Sequence, residues 1–165
     1  MPATPPDPSV ATVAVLLAAG AGSRFTSRSH KLLAELPGSD ARPAETVFAR
    51  CAAIARQAAI GPLVVVGGAV GTETLAPLLG THAEPGSSTP AHVPNAIRVE
   101  LVDNPQWADG QITSVRLGIA TARSLGARRV VIGLADQPGI TVDAWRSVAA
   151  TEGSIVVATY DGRRG

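Results

Sequence analysis

Positive charge follows a loop of very small residues near the start of the chain. Arg24 and Lys31 come just after AAGAGS at residues 18–23, and no acidic residue lies between Pro8 and Ala34. Side chains this small leave the backbone N–H groups of the loop open, and a run of such groups can curl around an anion. A helix that follows would add the positive end of its dipole. The stretch therefore predicts a triphosphate cradle whose cations neutralise phosphate oxygens.

Two other phosphate-binding motifs are excluded at this loop. A P-loop needs Lys-Ser or Lys-Thr directly after its last glycine, whereas Ser-Arg-Phe follows Gly22. A dinucleotide fingerprint needs a third glycine where Phe25 stands and an acid at the end of the second strand, but Val66 is followed by two glycines. On the loop alone, an ordinary strand-to-helix turn with solvated cations remains an equal alternative.

A carboxylate follows an apolar run much later in the chain. Asp136 comes two residues after VVIGL at residues 130–134. Ligands of open parallel sheets bind beyond the carboxyl ends of the strands, so Asp136 is expected to face the same crevice as the small-residue loop. Mg²⁺ prefers one or two carboxylates together with phosphate oxygens and water, which makes Asp136 adequate for holding a metal–triphosphate. The alternative is that the Asp-x-Pro sequence ending at Pro138 only caps a turn.

A polar segment lies between these two motifs. It offers an amide at Asn104, an indole at Trp107, a flexible Gly110 and two hydroxyls, Thr113 and Ser114, at the start of a predicted helix. These groups suit hydrogen bonds to a base edge or a ribose. The alternative makes Trp107 a surface plug and Ser114 a residue that merely starts the helix.

Short apolar runs separated by helical patterns define the expected fold. The runs that predict buried strands are residues 12–17, 63–66, 97–102, 130–134 and 154–159. Helical patterns occupy residues 46–59, 112–124 and 142–150, the last with Thr141 as its cap. Strands that alternate with helices predict an α/β protein with a mostly parallel sheet covered on both faces.

Composition limits the domain organisation and the class of partner. The chain has 165 residues with 45% hydrophobic content, which suits one domain, expected at residues 11–165 after a proline-rich, disordered lead-in at 1–10. A net charge of +1 argues against a protein that coats nucleic acid or a membrane surface. A single cysteine excludes an internal disulfide and suits a reducing compartment. With no secretory signal and no long apolar run, we expect a cytoplasmic location.

The remaining reactive side chains give weak signals. Cys51 falls on the apolar face of a predicted helix, so a core position is expected for it. The three histidines lack metal-ligand spacing, and His30 is expected only to add polarity beside Lys31. Two of them lie in residues 81–95, a Pro/Ser/Thr-rich stretch expected to form an exposed loop.

The motifs together resemble a known family. AAGAGSRF followed by Lys31, NPQWADGQITSVRLGI at 104–119 and LADQP at 134–138 are similar to the motifs of the MobA-like nucleotidyltransferases, which include molybdenum cofactor cytidylyltransferases and guanylyltransferases. The resemblance implies a Rossmann-like three-layer α/β/α fold, the use of Mg²⁺, and transfer of a nucleoside monophosphate from an NTP to a phosphorylated acceptor with release of pyrophosphate. It also implies that the chain lacks the C-terminal segment usual in the family.

The same resemblance assigns roles to individual residues. Arg24, Lys31 and Asp136 become the catalytic candidates, with Asp136 holding the metal. The implied nucleotide contacts are Leu17, Ala18, Ala19, Gly20, Gly22, Ser23, Lys31, Asn104, Gly110 and Ser114.

The choice of nucleotide rests on two details of sequence. Ala-Ala-Gly at 18–20 and Gly-Gln-Ile-Thr-Ser at 110–114 look more like the cytidylyl branch, which favours CTP with molybdopterin as acceptor and a molybdoenzyme or its chaperone as partner. Open alternatives are a guanylyltransferase of the same family, an oxidoreductase of the nicotine-dye type on the same scaffold, and a non-catalytic nucleotide-binding module.

Overall fold

A four-stranded parallel sheet forms the centre of the protein. The computed structural model describes residues 12–22, 30–38, 43–80, 97–160 and 163–164. The predicted lead-in at 1–10 and the predicted loop at 81–95 lie outside them. The strands of the sheet are β1 (Thr12–Leu17), β4 (Leu63–Gly67), β5 (Val99–Asp103) and β6 (Arg129–Leu134), in the spatial order β5-β4-β1-β6.

Strand β1 is central because its sequence is apolar without alternation. Val13 to Leu17 are all buried, as expected for a strand covered on both faces. Leu17 pairs with Val66 of β4 on one side and with Leu134 of β6 on the other. All three strands run in the same direction, so their carboxyl ends meet at one edge of the sheet.

Helices cover both faces of this sheet. Helix α1 (Val47–Ala58) begins at Thr46, whose Oγ1 accepts a hydrogen bond from the amide of Ala49. It packs with α4 (Val142–Ala150) over one face, where Phe48 and Trp145 are buried. Helix α3 (Gln111–Ser124) covers the opposite face. The result is the three-layer α/β/α arrangement that was expected.

Smaller elements complete the described part of the chain. Two pairs of short antiparallel strands are present: β2 (Glu35–Leu36) pairs with β3 (Glu45–Thr46), and β7 (Thr159–Tyr160) pairs with β8 (Arg163–Arg164). A short helix, α2, spans Thr72–Leu75. 3-10 turns lie at Lys31–Leu33, Ala76–Leu79 and Trp107–Asp109. None of the helices described is long and apolar enough to cross a membrane.

The strand predicted at 154–159 is wrong for most of its length. Only Thr159 and Tyr160 belong to a strand, and they pair with β8 and not with the central sheet. Ile155 is 87% exposed and Val157 is 49% exposed. An apolar run forms a strand only where a partner supplies ladder hydrogen bonds, and no described residue pairs with 154–158. The other four strand predictions are confirmed to within two residues at each end, and the three helix predictions likewise.

Candidate functional site

A cavity opens at the carboxyl edge of β1 and β6. Its volume is about 250 Å³. The residues that line it are Leu17, Ala18, Ala19, Gly20, Gly22, His30, Lys31, Leu32, Trp107, Gln111, Ser114, Leu134 and Asp136. The loop after β1, the turn at Lys31–Leu33, the start of α3 and the segment after β6 therefore meet at one place.

Lys31 and Asp136 form the charged centre of this cavity. The Nζ of Lys31 lies 3.0 Å from the Oδ2 of Asp136, although 105 residues separate them in the chain. Parallel pairing brings the segment before Asp136 beside the loop after β1, because Leu17 lies opposite Leu134 and the amide of Ala135 donates to the carbonyl of Leu17. The side chains are 39% and 42% exposed, so both remain open to a ligand.

The small-residue loop presents open backbone to the cavity. Ala18 and Ala19 are buried, and the amide of Ala18 continues the sheet by donating to the carbonyl of Val66. From Ala19 to Gly22, no residue of the described part of the chain accepts a hydrogen bond from the backbone amides. Gly22 has a φ of 62°, a left-handed conformation that glycine adopts readily. Amides without an acceptor among the described residues, in a curved loop, are the feature that an anion-binding site needs.

The polar segment after β5 forms a network of its own. The Nδ2 of Asn104 donates to Thr113 Oγ1 at 2.8 Å and to Ser114 Oγ at 2.9 Å, and its Oδ1 accepts from the amide of Gln106. Asn104 is buried and does not line the cavity, whereas Ser114 does. Gly110, also outside the lining, precedes α3 with a φ of 112°. The network holds the start of α3 against the end of β5.

The structure brings most of the predicted site residues together. Those that line the cavity are Leu17, Ala18, Ala19, Gly20, Gly22, Lys31, Ser114 and Asp136. Asn104 and Gly110 do not line the cavity, and Ser23 and Arg24 lie outside the described residues. Whether any of them binds a nucleotide remains a prediction.

Sequence reasoning missed part of the lining. His30, Leu32, Gln111 and Leu134 were not among the predicted contacts, and Trp107 is half-buried at the cavity and not an exposed plug. The signal for Trp107 and Gln111 was their place on either side of Gly110, which itself was selected. The signal for His30 was its place directly before Lys31, from which only added polarity was predicted.

The donor set at the cavity fits a metal held with phosphate. Asp136 is the one carboxylate in the lining, and the residues described contain no group of three or more His, Cys, Asp or Glu side chains with metal-site geometry. Such a site is too poor in ligands for a protein-only metal cage. It suits Mg²⁺, which takes one or two carboxylates and completes its shell with phosphate oxygens and water.

A family model for the MobA-like NTP transferase domain matches residues 14–165. The chain belongs to that family. The membership expected from the three sequence motifs is thereby confirmed. A comparison with curated proteins finds no match.

Solved structures with the same architecture agree on the fold. A nucleotidyl transferase from Methanothermobacter thermautotrophicus is 24% identical, with a TM-score of 0.62 over 84% of this chain and 56% of that one. Rv0371c from Mycobacterium tuberculosis is 23% identical, with a TM-score of 0.56 over 84% and 59%. A complex of that protein with manganese is 20% identical, with a TM-score of 0.49 over 84% and 58%. The chain thus spans a little over half the length of these structures. The likeness to the first two confirms the Rossmann-like fold.

Proposed function

We propose that this chain forms the NTP side of a divalent-metal-dependent nucleotidyltransferase. The observation that carries the proposal is the contact of 3.0 Å between Lys31 and Asp136 beside a loop of open amides. A cation, a carboxylate and a run of N–H donors around one cavity match the three needs of a metal–triphosphate. Membership of an NTP transferase family supports the same conclusion.

The loop binds the charged tail of the nucleotide in this proposal. Amides of Ala19 to Gly22, with Ser23 as predicted from the sequence, hold the β- and γ-phosphates through hydrogen bonds strengthened by the ligand's charge. Lys31 offsets the charge that accumulates on the departing pyrophosphate, and Arg24 is the second candidate for this task. Because the amides of Ala19 to Gly22 and the ammonium group of Lys31 lie at the cavity before a ligand binds, they can stabilise developing charge at little cost in reorganisation.

Asp136 orients the metal-bound triphosphate. Mg²⁺, when bound, would neutralise phosphate charge and make the α-phosphorus more susceptible to attack. The acceptor phosphate then attacks that phosphorus in line with the leaving pyrophosphate, and positioning together with electrostatics supplies the catalysis. Loading the site requires Lys31 to share or release Asp136, since its ammonium group contacts the Oδ2 of that carboxylate.

For the nucleotide and acceptor, we propose CTP and molybdopterin. The support is the Ala-Ala-Gly form of the loop at 18–20, which resembles the cytidylyl branch of the family. Trp107 and Gln111 lie in the cavity lining, where an indole and an amide suit contacts to a pyrimidine and its edge. A cytoplasmic location and a molybdoenzyme or chaperone as recipient belong to the same proposal.

Binding of Mg·CTP tests the proposal directly. Isothermal titration compares CTP, GTP and NADPH, each with and without Mg²⁺, on the unaltered chain and on Asp136→Asn. We expect Mg·CTP to bind more tightly than Mg·GTP, and Asp136→Asn to weaken it by about tenfold or more, because a charge-assisted contact is lost. Asp143→Asn, an exposed carboxylate at the start of α4, is the matched control. Undiminished affinity in Asp136→Asn would remove the metal assignment, and preference for NADPH would favour the oxidoreductase alternative.

A further inference from the structure

The ring of His30 uses both of its nitrogens in hydrogen bonds. Its Nδ1 accepts a hydrogen bond from the amide of Leu32 at 3.2 Å, so that nitrogen carries no proton. Its Nε2 lies 2.8 Å from the carbonyl oxygen of Gly20 and must be the donor there. Only the neutral imidazole with its proton on Nε2 makes both contacts. The hydrogen bonds therefore specify one tautomer of His30.

The ring touches the small-residue loop at two points. The contact with Gly20 joins residues ten apart in the chain, so it ties the turn at Lys31–Leu33 to the loop after β1. A Cβ built on Gly22 would lie 3.4 Å from the Nε2 of His30, which places the ring directly against that residue. His30 also caps the 3-10 turn that begins at Lys31. The side chain of His30 thus contacts both the small-residue loop and the turn that carries Lys31, the cation of the cavity.

Fixing the carbonyl of Gly20 also fixes the amide that follows it. In a trans peptide the C=O and the next N–H point in opposite directions, and no peptide bond of the described chain is cis. When His30 holds the carbonyl of Gly20, the N–H of Ala21 must face away from the ring. A carbonyl oxygen that turned toward a phosphate would repel it, and a loop that rotated freely would have to be ordered when the ligand binds.

We propose that His30 is a positioning residue for the phosphate loop, acting through its Nε2–H donor to the carbonyl of Gly20. This inference rests on the proposed function, since it takes the loop to be the phosphate site. His30 contributes geometry and not charge: as the neutral tautomer, it keeps the carbonyl of Gly20 engaged and the adjoining amide oriented. Its ring also ties the position of the loop to the turn that carries Lys31.

Two substitutions separate the two nitrogens of the ring. His30→Gln keeps an N–H donor at about the distance of Nε2 but loses the acceptor at Nδ1. His30→Asn keeps an acceptor at about the place of Nδ1, so the turn at Lys31–Leu33 stays capped, but its side chain is too short to reach Gly20. The pair therefore distinguishes positioning of the loop from capping of the turn.

Titration of Mg·CTP into these variants tests the proposal. We expect His30→Asn to weaken binding by about tenfold and His30→Gln to stay within about threefold of the unaltered protein. Thermal unfolding should rank them the other way, because the cap survives only in His30→Asn. Equal affinities in the two variants, whether retained or lost, would overturn the role of Nε2.

A second measurement keeps the inference testable without any nucleotide. Long-range ¹H–¹⁵N NMR spectra of the unaltered protein should show His30 protonated on Nε2 and bare on Nδ1. The amide signals of Gly20 to Gly22 should shift in His30→Asn and be restored in His30→Gln. Protonation on Nδ1, or unchanged amide signals in both variants, would refute the positioning role. Absence of CTP binding with the expected spectra would instead refute the proposed function alone.

Discussion

The Nδ2 of Asn104 donates to the Oγ of Ser114 across 2.9 Å, and the two residues are 4% and 2% exposed. A second hydrogen of the same amide goes to Thr113, and its oxygen accepts from the amide of Gln106. Every polar atom of the Asn104 side chain is therefore satisfied within the protein. The residue aligns Ser114 with the cavity wall, and both hydrogens of its amide are used within the protein.

Replacing Asn104 with alanine should destabilise the protein. Three hydrogen bonds disappear, each contributing about 0.5–1.5 kcal/mol, so we expect the free energy of unfolding to fall by about 2–4 kcal/mol. Urea denaturation followed by circular dichroism measures it. Gln106→Ala is the control, since this side chain is exposed and only its backbone amide joins the network. Similar midpoints for the two variants would contradict the structural role.

Helix α3 approaches the sheet closely at Gly118. A Cβ there would lie 2.6 Å from Cγ1 of Val15 and 3.3 Å from Cγ2 of Val66. Both valines are fully buried and belong to the central strands, so neither can move aside easily. Alanine improves intrinsic helix propensity by about 1 kcal/mol over glycine, whereas overpacking a core costs about 1–3 kcal/mol.

The steric term should dominate, and Gly118→Ala should lower the free energy of unfolding by about 1–2 kcal/mol. A double-mutant cycle checks the cause. In a Val15→Ala background the clashing methyl group is gone, so Gly118→Ala should become neutral or stabilising. If Gly118→Ala destabilises both backgrounds equally, close packing on Val15 is not the reason.

The parts of the fold that the sequence predicts are those with local physical causes. The apolar run of β1 and the amphipathic pattern of α1 are set by burial, and the cap at Thr141 by a hydrogen bond within three residues. The strand prediction for residues 154–158 was wrong because strand formation depends on a pairing partner elsewhere in the chain, and an apolar run does not reveal that partner.

The site shows the same division. The nearness of Asp136 to the small-residue loop follows from parallel strands, whose carboxyl ends share an edge, so the sequence alone could predict it. The internal role of Asn104 could not be predicted, because the sequence shows an amide but not which groups accept its hydrogens. In the structure the acceptors are two hydroxyl groups, nine and ten residues later in the chain. The contact of His30 with Gly20 depends likewise on how a ten-residue span closes.

The thiol of Cys51 should make stability depend on pH in the alkaline range. Burial raises its pKa from 9.0 to about 11, with smaller opposing and reinforcing effects from the backbone of Gln137 and the charge of Asp136. A raised pKa in the folded state means that the stabilisation is complete below pH 9 and is lost as the pH rises toward 11. At 1.36 kcal/mol per pKa unit, the loss approaches about 2–3 kcal/mol.

Cys51→Ala separates this effect from the other groups that titrate there. Between pH 9 and 11, the free energy of unfolding should fall more steeply for the unaltered protein than for the variant. The two slopes should differ by at most the value for release of one proton. Chemical denaturation at fixed pH values measures both slopes. A thiol reagent at pH 8 should also modify Cys51 only when the protein unfolds, since the buried thiol remains protonated. Parallel pH profiles would mean that Cys51 ionises as freely in the folded state as in the unfolded chain.

Lys31 should discriminate between nucleotides by the number of their phosphates. Its ammonium group lies beside the loop at the charged end of the cavity, and a charge-assisted contact contributes about 1.5–3 kcal/mol. Lys31→Ala should therefore weaken Mg·CTP by about 10- to 100-fold while changing CMP affinity by less than about threefold. Stability should change by no more than about 1 kcal/mol, because the ion pair with Asp136 is half-exposed.

Two control variants accompany this test. Lys31→Arg keeps the charge and should recover part of the loss. Arg128→Ala alters an exposed residue just before β6 and should change the affinity for neither nucleotide. Calorimetric titration of the three variants with CTP, CDP and CMP gives the comparison. Equal losses for CTP and CMP would show that Lys31 contacts the nucleoside or the α-phosphate and does not stabilise the leaving pyrophosphate.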